Sequence, residues 1–182
     1  MILRDLFKTN SHNDGSRSLL ESILSNEVSQ AIIDWKNFAN KHGVLIGGLA
    51  LSYYVKPRFT SDGDFLYLAS LDIPTEVEKF KRTRPGAFLH KATHVEIEVL
   101  TPKSINMSDE LARKIVETAI ERDGFKIASR AGLIAAKLGR FKLQDRADIS
   151  SLLQLGSVDL SDFPLTTTQQ QNLEIALSET ES

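Results

Sequence analysis

The front half of the chain alternates between helix-like and strand-like patterns of apolar side chains. Apolar residues over 28–39 recur at the three-and-four spacing of an amphipathic helix, which Gly43 can end. A short apolar run at 44–46 predicts a buried strand, and Gly47 and Gly48 predict a turn into a helix over 49–55. Pro57 ends that helix, and residues 64–68 predict a second strand. The pattern therefore predicts helix, strand, glycine turn, helix and strand.

The middle of the chain predicts a helical turn over 74–80, a basic loop over 82–86 and then a hairpin. The hairpin strands are expected at 87–89 and 93–100. In the second of them apolar side chains at 95, 97 and 99 face one way, while His94, Glu96 and Glu98 face the other. Pro102 ends this strand. Two glutamates are thus expected on one face of a strand.

From residue 106 the pattern predicts helices only. Ser108 is a plausible N-cap for a helix that Gly124 ends, residues 125–128 form a bridge, and Ser129 caps a helix through 138. Further helices are expected over 143–155 and 166–177, and polar stretches at 9–18 and 178–182 predict loose ends. We therefore divide the chain into an α+β core, 1–105, and a helical region, 106–182, that packs on it.

Composition narrows the possible classes of function. The chain has 182 residues with 22 basic and 24 acidic side chains, a formal net charge of −2, so no global positive field attracts nucleic acid or membrane. It has no cysteine, which excludes thiolate nucleophiles, disulfides and cysteine-based metal sites. No apolar run approaches the roughly 20 residues of a membrane-spanning helix, and no signal-peptide core is recognised. We expect a cytoplasmic protein with no membrane partner.

Two features could carry chemistry. Asp62 and Asp64 lie two residues apart at the start of a predicted strand, so their carboxylates project from one face and could share a divalent cation. The alternative is a pair of solvated loop residues around Gly63. Gly47 and Gly48, which lack side chains, would let backbone amides approach a phosphate closely, although they could equally form a simple tight turn.

The combination of these features resembles a known family. The run GGLALSYYVKPRFTSDGDFLYL, residues 47–68, resembles the nucleotidyltransferase superfamily with the DNA polymerase β-like fold. The resemblance is to the bacterial branch that includes toxins of the AbiEii and MenA type. SRAGLIAAKLGRFKLQDRADISSLL, residues 129–153, is similar to the later helical motif of that branch. The resemblance implies an α+β fold with a mixed sheet flanked by helices, followed by a C-terminal helical region.

The resemblance also implies a site. Asp62 and Asp64 would bind one or two Mg²⁺ or Mn²⁺ ions that bridge the triphosphate of a nucleotide substrate. The residues expected to contact the nucleotide are Gly47, Gly48, Thr60 or Ser61, Lys137 and Asp145, with Arg58 either touching phosphate or pairing with an acidic neighbour. Asp145 could instead orient Lys137. For Asp148 we expect a helix-surface ion pair with Arg140 or Arg146.

A third carboxylate, a metal ligand or general base, is expected from the strand over 93–100. Glu98 is preferred to Glu96, because Glu98-Val-Leu-Thr-Pro matches the family's usual Asp-hydrophobic-hydrophobic-Thr-Pro ending. Glutamate in place of aspartate leaves the number of metal ions open. The alternative is that Glu96 and Glu98 form the solvated face of the sheet.

The implied reaction is transfer of a nucleoside monophosphate from an NTP to a hydroxyl, with release of pyrophosphate. The acceptor could be RNA, including tRNA, or a protein, and the setting a toxin with an antitoxin-like partner or a phage-defence pair. A dense basic run, namely Lys79, Lys81, Arg82 and Arg84, is either a solvated loop or the receiver of an anionic acceptor.

Two other functions stay open. One is an aminoglycoside-type transferase, whose cationic substrate would need an acidic pocket of Glu96, Glu98 and Asp109. The other is a non-catalytic relative that binds a nucleotide or a protein. The retained pair Asp62 and Asp64 argues against the second, because adjacent carboxylates repel one another.

Overall fold

The computed structural model describes residues 25–39, 43–56, 60–69 and 72–180. Its helices in these ranges are α1 (Asn26–Phe38), α2 (Gly47–Leu51), α3 (Asp109–Glu117), α4 (Arg130–Leu138), α5 (Leu143–Leu153) and α6 (Thr167–Thr180). Its strands are β1 (Val44–Ile46), β2 (Asp62–Leu66), β3 (Phe80–Arg84), β4 (Ala87–His90), β5 (Glu96–Leu100), β6 (Ile120–Arg122) and β7 (Phe125–Ile127).

The seven strands form one mixed sheet in the order β3-β4-β5-β2-β1-β7-β6. Strand β1 lies antiparallel to β2 and parallel to β7, and β2 lies parallel to β5. The outer pairs, β3 with β4 and β6 with β7, are antiparallel hairpins. The prediction of an α+β fold, a mixed sheet flanked by helices and followed by a helical region, is confirmed.

Helix α1 covers one face of the sheet. Ser25 caps its first turn by accepting a hydrogen bond from the Val28 amide. Trp35, fully buried, contacts aromatic rings from three strands, which are Phe65 of β2, Phe80 of β3 and Phe88 of β4. Gly63 faces the same helix, since an added Cβ would lie 2.5 Å from the Ile32 Cδ1 atom. This face of the sheet is therefore core.

A buried polar cluster fastens α1 to the first hairpin. The Asp34 carboxylate, buried on α1, accepts from the ammonium of Lys79 at 2.9 Å and lies 3.0 Å from Nε2 of His90. Burial alone would raise the pKa of Asp34, but hydrogen bonds from Lys79, Gln30 and His90 outweigh it and hold the pKa below its usual value. The hairpin β3–β4 is thus fixed to the core at its base.

Several predicted elements are wrong in type or length. The segment expected as a helical turn and basic loop contains strand β3, an edge strand whose exposed polar side chains show no alternation. The helix expected to run to Gly124 ends at Glu117, and residues 120–127 form the hairpin β6–β7. Strand β2 begins two residues earlier than predicted, and the helix expected over 49–55 spans Gly47–Leu51.

Two further expectations concern other parts of the chain. The loose segment predicted at 9–18 lies outside the described residues, as do Pro57 and Arg58. The division into regions 1–105 and 106–182 stays a prediction, although strands β6 and β7 of the second region join the sheet of the first. Within the described ranges none of the helices combines the length and the apolar character needed to cross a bilayer.

Candidate active site

Four carboxylates line one face of the two central strands β2 and β5. In their parallel register Asp62 is the partner of Glu96, and Asp64 is the partner of Glu98. All four residues are partly buried, and the alternating positions of the same strands face the opposite side, where Gly63 meets helix α1. The sheet therefore gathers acidic side chains on the face away from the aromatic core.

The glycine bend lies directly against this acidic face. Ile46, the last residue of β1, pairs with Asp64, and Gly47 follows with a φ of +71°. A Cβ added at Gly47 would lie 2.0 Å from Oδ2 of Asp64, so any side chain here would displace the carboxylate. Gly48 is buried in α2, where its carbonyl accepts from the Ser52 hydroxyl at 3.2 Å. The bend and the aspartates thus meet at one place.

Asp64 carries the clearest electrostatic signature of the site. Burial, followed by the negative charges of Asp62 and Glu98, raises its pKa from 3.8 to about 7. The positive charges of Arg140 and Lys137 act in the opposite direction but do not cancel the effect. A carboxyl group that gives up its proton this reluctantly lacks a compensating cation, and such groups cluster at functional sites.

The residues just before β2 support the aspartate pair. The Thr60 hydroxyl donates to Oδ1 of Asp62 at 3.1 Å, which holds that carboxylate against its own strand. Ser61 is exposed beside it. Thr60 therefore contacts a candidate metal ligand, whereas Ser61 is an exposed residue beside it.

Arg84, which the sequence analysis placed only in the basic run, contacts two of the site's carboxylates, a contact that the sequence pattern did not predict. Its Nη2 atom donates to Oε1 of Glu96 at 2.7 Å and also to Oε1 of Glu98. The hydrogen bond to Glu98 and the charges of both glutamates raise the pKa of this exposed guanidinium above its usual value. The residue lies 12 positions from Glu96, so only the folding of the β3–β4–β5 sheet brings it to the site.

Lys137 lies inside a buried ionic cluster. It is 6% exposed, and its ammonium donates to Asp148 at 2.6 Å and to Asp145 at 3.4 Å. Asp145 also accepts from the exposed Arg140 at 3.0 Å, and Gln144 donates to Asp148. Burial would raise the pKa of Asp145, but the hydrogen bond from Arg140 and the charges of Lys137 and Arg140 keep it below its usual value.

The buried ionic cluster bears on the predictions made for Asp148 and Asp145. Asp148 is buried and pairs with Lys137, so its expected position on the helix surface is wrong; the charge of Arg140 acts on it, whereas Arg146 meets Glu179 on α6. The reason is that α5 turns its acidic side chains toward α4 rather than toward solvent. Asp145 contacts Lys137, in line with the alternative that it orients this lysine.

The basic run does not act as one loop. Lys79 pairs with Asp34 and Arg84 with the two glutamates, while Lys81 and Arg82 are exposed on strand β3. Lys81 lies opposite Leu89, which in turn lies opposite Glu96, so its side chain belongs to the acidic face. The run is thus divided between a structural contact, a site contact and exposed charge.

The carboxylates have the donor chemistry of a magnesium site. In the described part of the chain no three Asp, Glu or His side chains are grouped closely enough to enclose a metal ion. Asp62 and Asp64 nevertheless offer oxygen donors from one strand, beside Glu98, and oxygen is the donor that Mg²⁺ and Mn²⁺ prefer. The raised pKa of Asp64 marks a place where a cation would relieve repulsion. The residues fit a divalent cation held mainly by the aspartates.

No protein-family model and no curated protein matches this chain. Among solved structures, the protein JHP933 from Helicobacter pylori matches with a TM-score of 0.43 and 17% identity, over 86% of this chain and 91% of that one. A candidate nucleotidyltransferase from H. pylori matches with a TM-score of 0.38 and 16% identity, over 88% of this chain and 97% of that one. Neither likeness assigns a function to this chain.

Proposed function

We propose that this protein is a metal-dependent nucleotidyltransferase that transfers a nucleoside monophosphate from an NTP to a hydroxyl group and releases pyrophosphate. The observation that carries the proposal is the junction of the Gly47 bend with Asp64, in register with Glu98. Acidic side chains at this density repel one another, and a bound cation with an anionic substrate is the chemistry that would make use of them.

Each residue has a role that follows from its place. Asp62 and Asp64 hold Mg²⁺ or Mn²⁺, which when bound neutralises triphosphate charge and makes the α-phosphorus more electrophilic. The absence of a side chain at Gly47 leaves room for the Asp64 carboxylate against the bend, whose backbone is the proposed phosphate contact, and Thr60 keeps the Asp62 carboxylate in place. Glu98, beside Asp64, accepts the proton of the attacking hydroxyl.

Lys137 and Asp145 act on the site without contacting the substrate. Because the Lys137 ammonium is held by Asp148 and Asp145, we assign it the role of positive potential near Asp64 rather than direct contact with phosphate. Asp145 fixes Lys137 and Arg140 at this distance. Arg140, which is exposed, is the member of the cluster free to face an anionic substrate.

For the acceptor we propose RNA. The exposed cation Lys81 lies on the acidic face at edge strand β3, two strands from the glutamates of β5, and the exposed Arg82 adds charge at the same edge from the opposite face. Such charges beside an otherwise acidic face would bind a phosphodiester backbone. A toxin role with an antitoxin-like partner is the physiological setting that the sequence resemblance implies, and we include it in the proposal.

The test is label transfer. Purified protein is incubated with each α-³²P-labelled NTP, Mg²⁺ or Mn²⁺, and total RNA, and labelled RNA and labelled protein are separated on a denaturing gel. We expect label on RNA, loss of transfer by a factor of at least about 10³ in Asp62→Asn and Asp64→Asn, and unchanged transfer in Glu121→Gln on the exposed strand β6. Label on protein alone contradicts the RNA acceptor, and absence of any transfer contradicts the enzyme.

The toxin role has its own experiment. Induced expression of the wild-type chain in a bacterial host should arrest growth, and expression of the Asp64→Asn variant at the same level should not. Growth arrest by both proteins, or by neither, contradicts this part of the proposal.

A further inference from the structure

The guanidinium of Arg84 forms ion pairs with two carboxylates of the acidic face, those of Glu96 and Glu98. Its side chain is 54% exposed and lies between Glu96 and Glu98, whose side chains are 35% and 29% exposed. The ion pairs are therefore open to solvent and are not locked by packing. Exposed pairs of this kind exchange partners at little cost, because water and other ions compete for each group.

The strand register explains why Arg84 reaches this far. Across the sheet Arg84 lies opposite Ala87, Ala87 lies opposite Glu98, and Glu98 lies beside Asp64. These side chains share one face, and the short side chain at position 87 lets the arginine extend over β4 to the glutamate on β5. A shift in register between Arg82 and Arg84 puts Lys81 on this face too.

The phosphate groups of a nucleotide could replace the carboxylates as partners of the Arg84 guanidinium. A planar guanidinium forms paired hydrogen bonds with phosphate oxygens as readily as with carboxylate oxygens. A metal ion that draws Asp62, Asp64 and Glu98 together would compete with Arg84 for the Glu98 oxygens. The released guanidinium would then be available to an anionic group at the acidic face.

We propose that Arg84 is a triphosphate-positioning residue, held by Glu96 and Glu98 in the nucleotide-free protein and transferred to phosphate oxygens when the metal-bound nucleotide occupies the acidic face. This inference rests on the proposed function and adds a residue to its site. Arg84 thereby has opposite effects on two ligands: it opposes binding of a free cation at the carboxylates, and it favours binding of the polyphosphate.

The experiment measures both ligands without turnover. Mn²⁺ is titrated alone by electron paramagnetic resonance, and inorganic tripolyphosphate, the part common to all NTPs, is titrated in the presence of Mg²⁺ by calorimetry. The proteins are wild type, Arg84→Gln, Arg84→Lys, and Arg122→Gln as a matched control on the opposite edge strand β6. Thermal unfolding checks that each variant is folded.

For Arg84→Gln we expect Mn²⁺ to bind roughly tenfold more tightly and tripolyphosphate roughly tenfold more weakly, as expected for loss of one charge-assisted contact. In Arg84→Lys, which keeps the charge but not the fork, the loss of tripolyphosphate affinity should be smaller. Arg122→Gln should match wild type in both titrations.

Other results overturn the inference. Equal affinities in wild type and Arg84→Gln, or a change of the same sign for both ligands, contradict the role of Arg84 while leaving the proposed function standing. A wild-type protein that binds neither Mn²⁺ nor tripolyphosphate contradicts the proposed function as well.

Discussion

At the scale of single residues, the position of Asp64 makes the ionised form of its carboxyl group unfavourable. Its carboxyl group lies against the Gly47 bend. Burial, and then the charges of Asp62 and Glu98, raise its pKa and so oppose its ionisation. Natural proteins keep such groups where activity needs them, at the expense of stability. The free energy of unfolding should therefore depend on whether the Asp64 carboxyl group is ionised.

We predict that Asp64→Asn stabilises the protein in a pH-dependent way. With a pKa of about 7 in the folded state against 3.8 as the model value, the folded protein holds a proton that the unfolded chain releases. Stability therefore falls as pH rises from about 4 to 7 and stays low above pH 7. The variant should exceed wild type by on the order of 4 kcal/mol at pH 8 and match it near pH 4.

Chemical denaturation at several pH values measures this difference. Glu121→Gln, on exposed strand β6, serves as the control and should show no such dependence. An offset between Asp64→Asn and wild type that is constant from pH 4 to pH 8 would mean that Asp64 titrates normally.

Gly47 gives the second residue-scale prediction. In Gly47→Ala the alanine must adopt the left-handed φ of +71° that Gly47 has. Its Cβ would also clash with the Asp64 carboxylate. We expect a loss of about 1–2 kcal/mol from the left-handed conformation alone, together with weakened Mn²⁺ binding. The control is Gly139→Ala, because the nearest atom to its added Cβ is at 3.6 Å. Equal behaviour of the two variants in denaturation and Mn²⁺ titration would contradict the prediction.

At the scale of elements, the helices α4 and α5 are joined by charge as well as by apolar packing. Lys137 on α4 meets Asp145 and Asp148 on α5, and all three are buried. A buried pair is costly to assemble, but removal of one partner leaves an uncompensated charge and costs more still. The cluster therefore makes the relative position of the two helices sensitive to a single substitution.

We predict that Lys137→Met destabilises the protein by about 3–5 kcal/mol, because two carboxylates are left buried without their ammonium. Lys126→Met, on an exposed position of β7, should change stability by less than about 0.5 kcal/mol. Urea denaturation compares them. A stable Lys137→Met variant that has lost only tripolyphosphate binding would instead favour direct contact between Lys137 and phosphate.

Elements with a regular apolar period could be predicted from the sequence, and others could not. Helix α1 and strand β5 show clean periodicity. Asp62 and Asp64 lie at the start of a strand, as predicted, and Gly47 and Gly48 lie between a strand and the body of a helix. Strand β3 was missed because only Phe80 is buried, and an edge strand tolerates charge along its length. Strands β6 and β7 are three residues long, too short for a period to show.

The site was predictable only where it is local. Asp62 and Asp64 are neighbours on one strand, so their spacing alone indicates a shared face. The link from Arg84 to Glu98 depends on the register of three strands, and the link from Asp34 to His90 spans 56 residues. Burial of Asp148 depends on how α5 packs against α4. None of these contacts leaves a periodic trace in the sequence.

At the scale of the whole molecule, the two regions drawn from the sequence share one sheet. Leu45 of β1 pairs with Ile127 of β7, and the amide of Ala128 donates to the carbonyl of Leu45 at 2.9 Å. Phe65 of β2 contacts Phe125 of β7 across the same boundary. The edge of β1 and part of the aromatic core therefore depend on residues after 106.

We predict that a fragment of residues 1–105 does not fold by itself. It would expose the unpaired side of β1, a strand that is buried on all three of its residues, and such an edge aggregates. The full chain should show one cooperative thermal transition by circular dichroism, whereas the fragment should show none. A fragment with its own sharp transition and dispersed amide resonances would show that the two regions are independent.

The late arrival of β7 has a consequence for synthesis on the ribosome. Ile127 follows its partner Leu45 by 82 residues. At about 5–20 residues per second, the ribosome needs about 4–16 s to make that stretch. In the course of this interval the aspartates, the glutamates and Arg84 are translated and β2 becomes available to β1, yet the other side of β1 still lacks its neighbour β7. A nascent chain would thus lack the completed sheet beside the Gly47 bend until β7 has been translated.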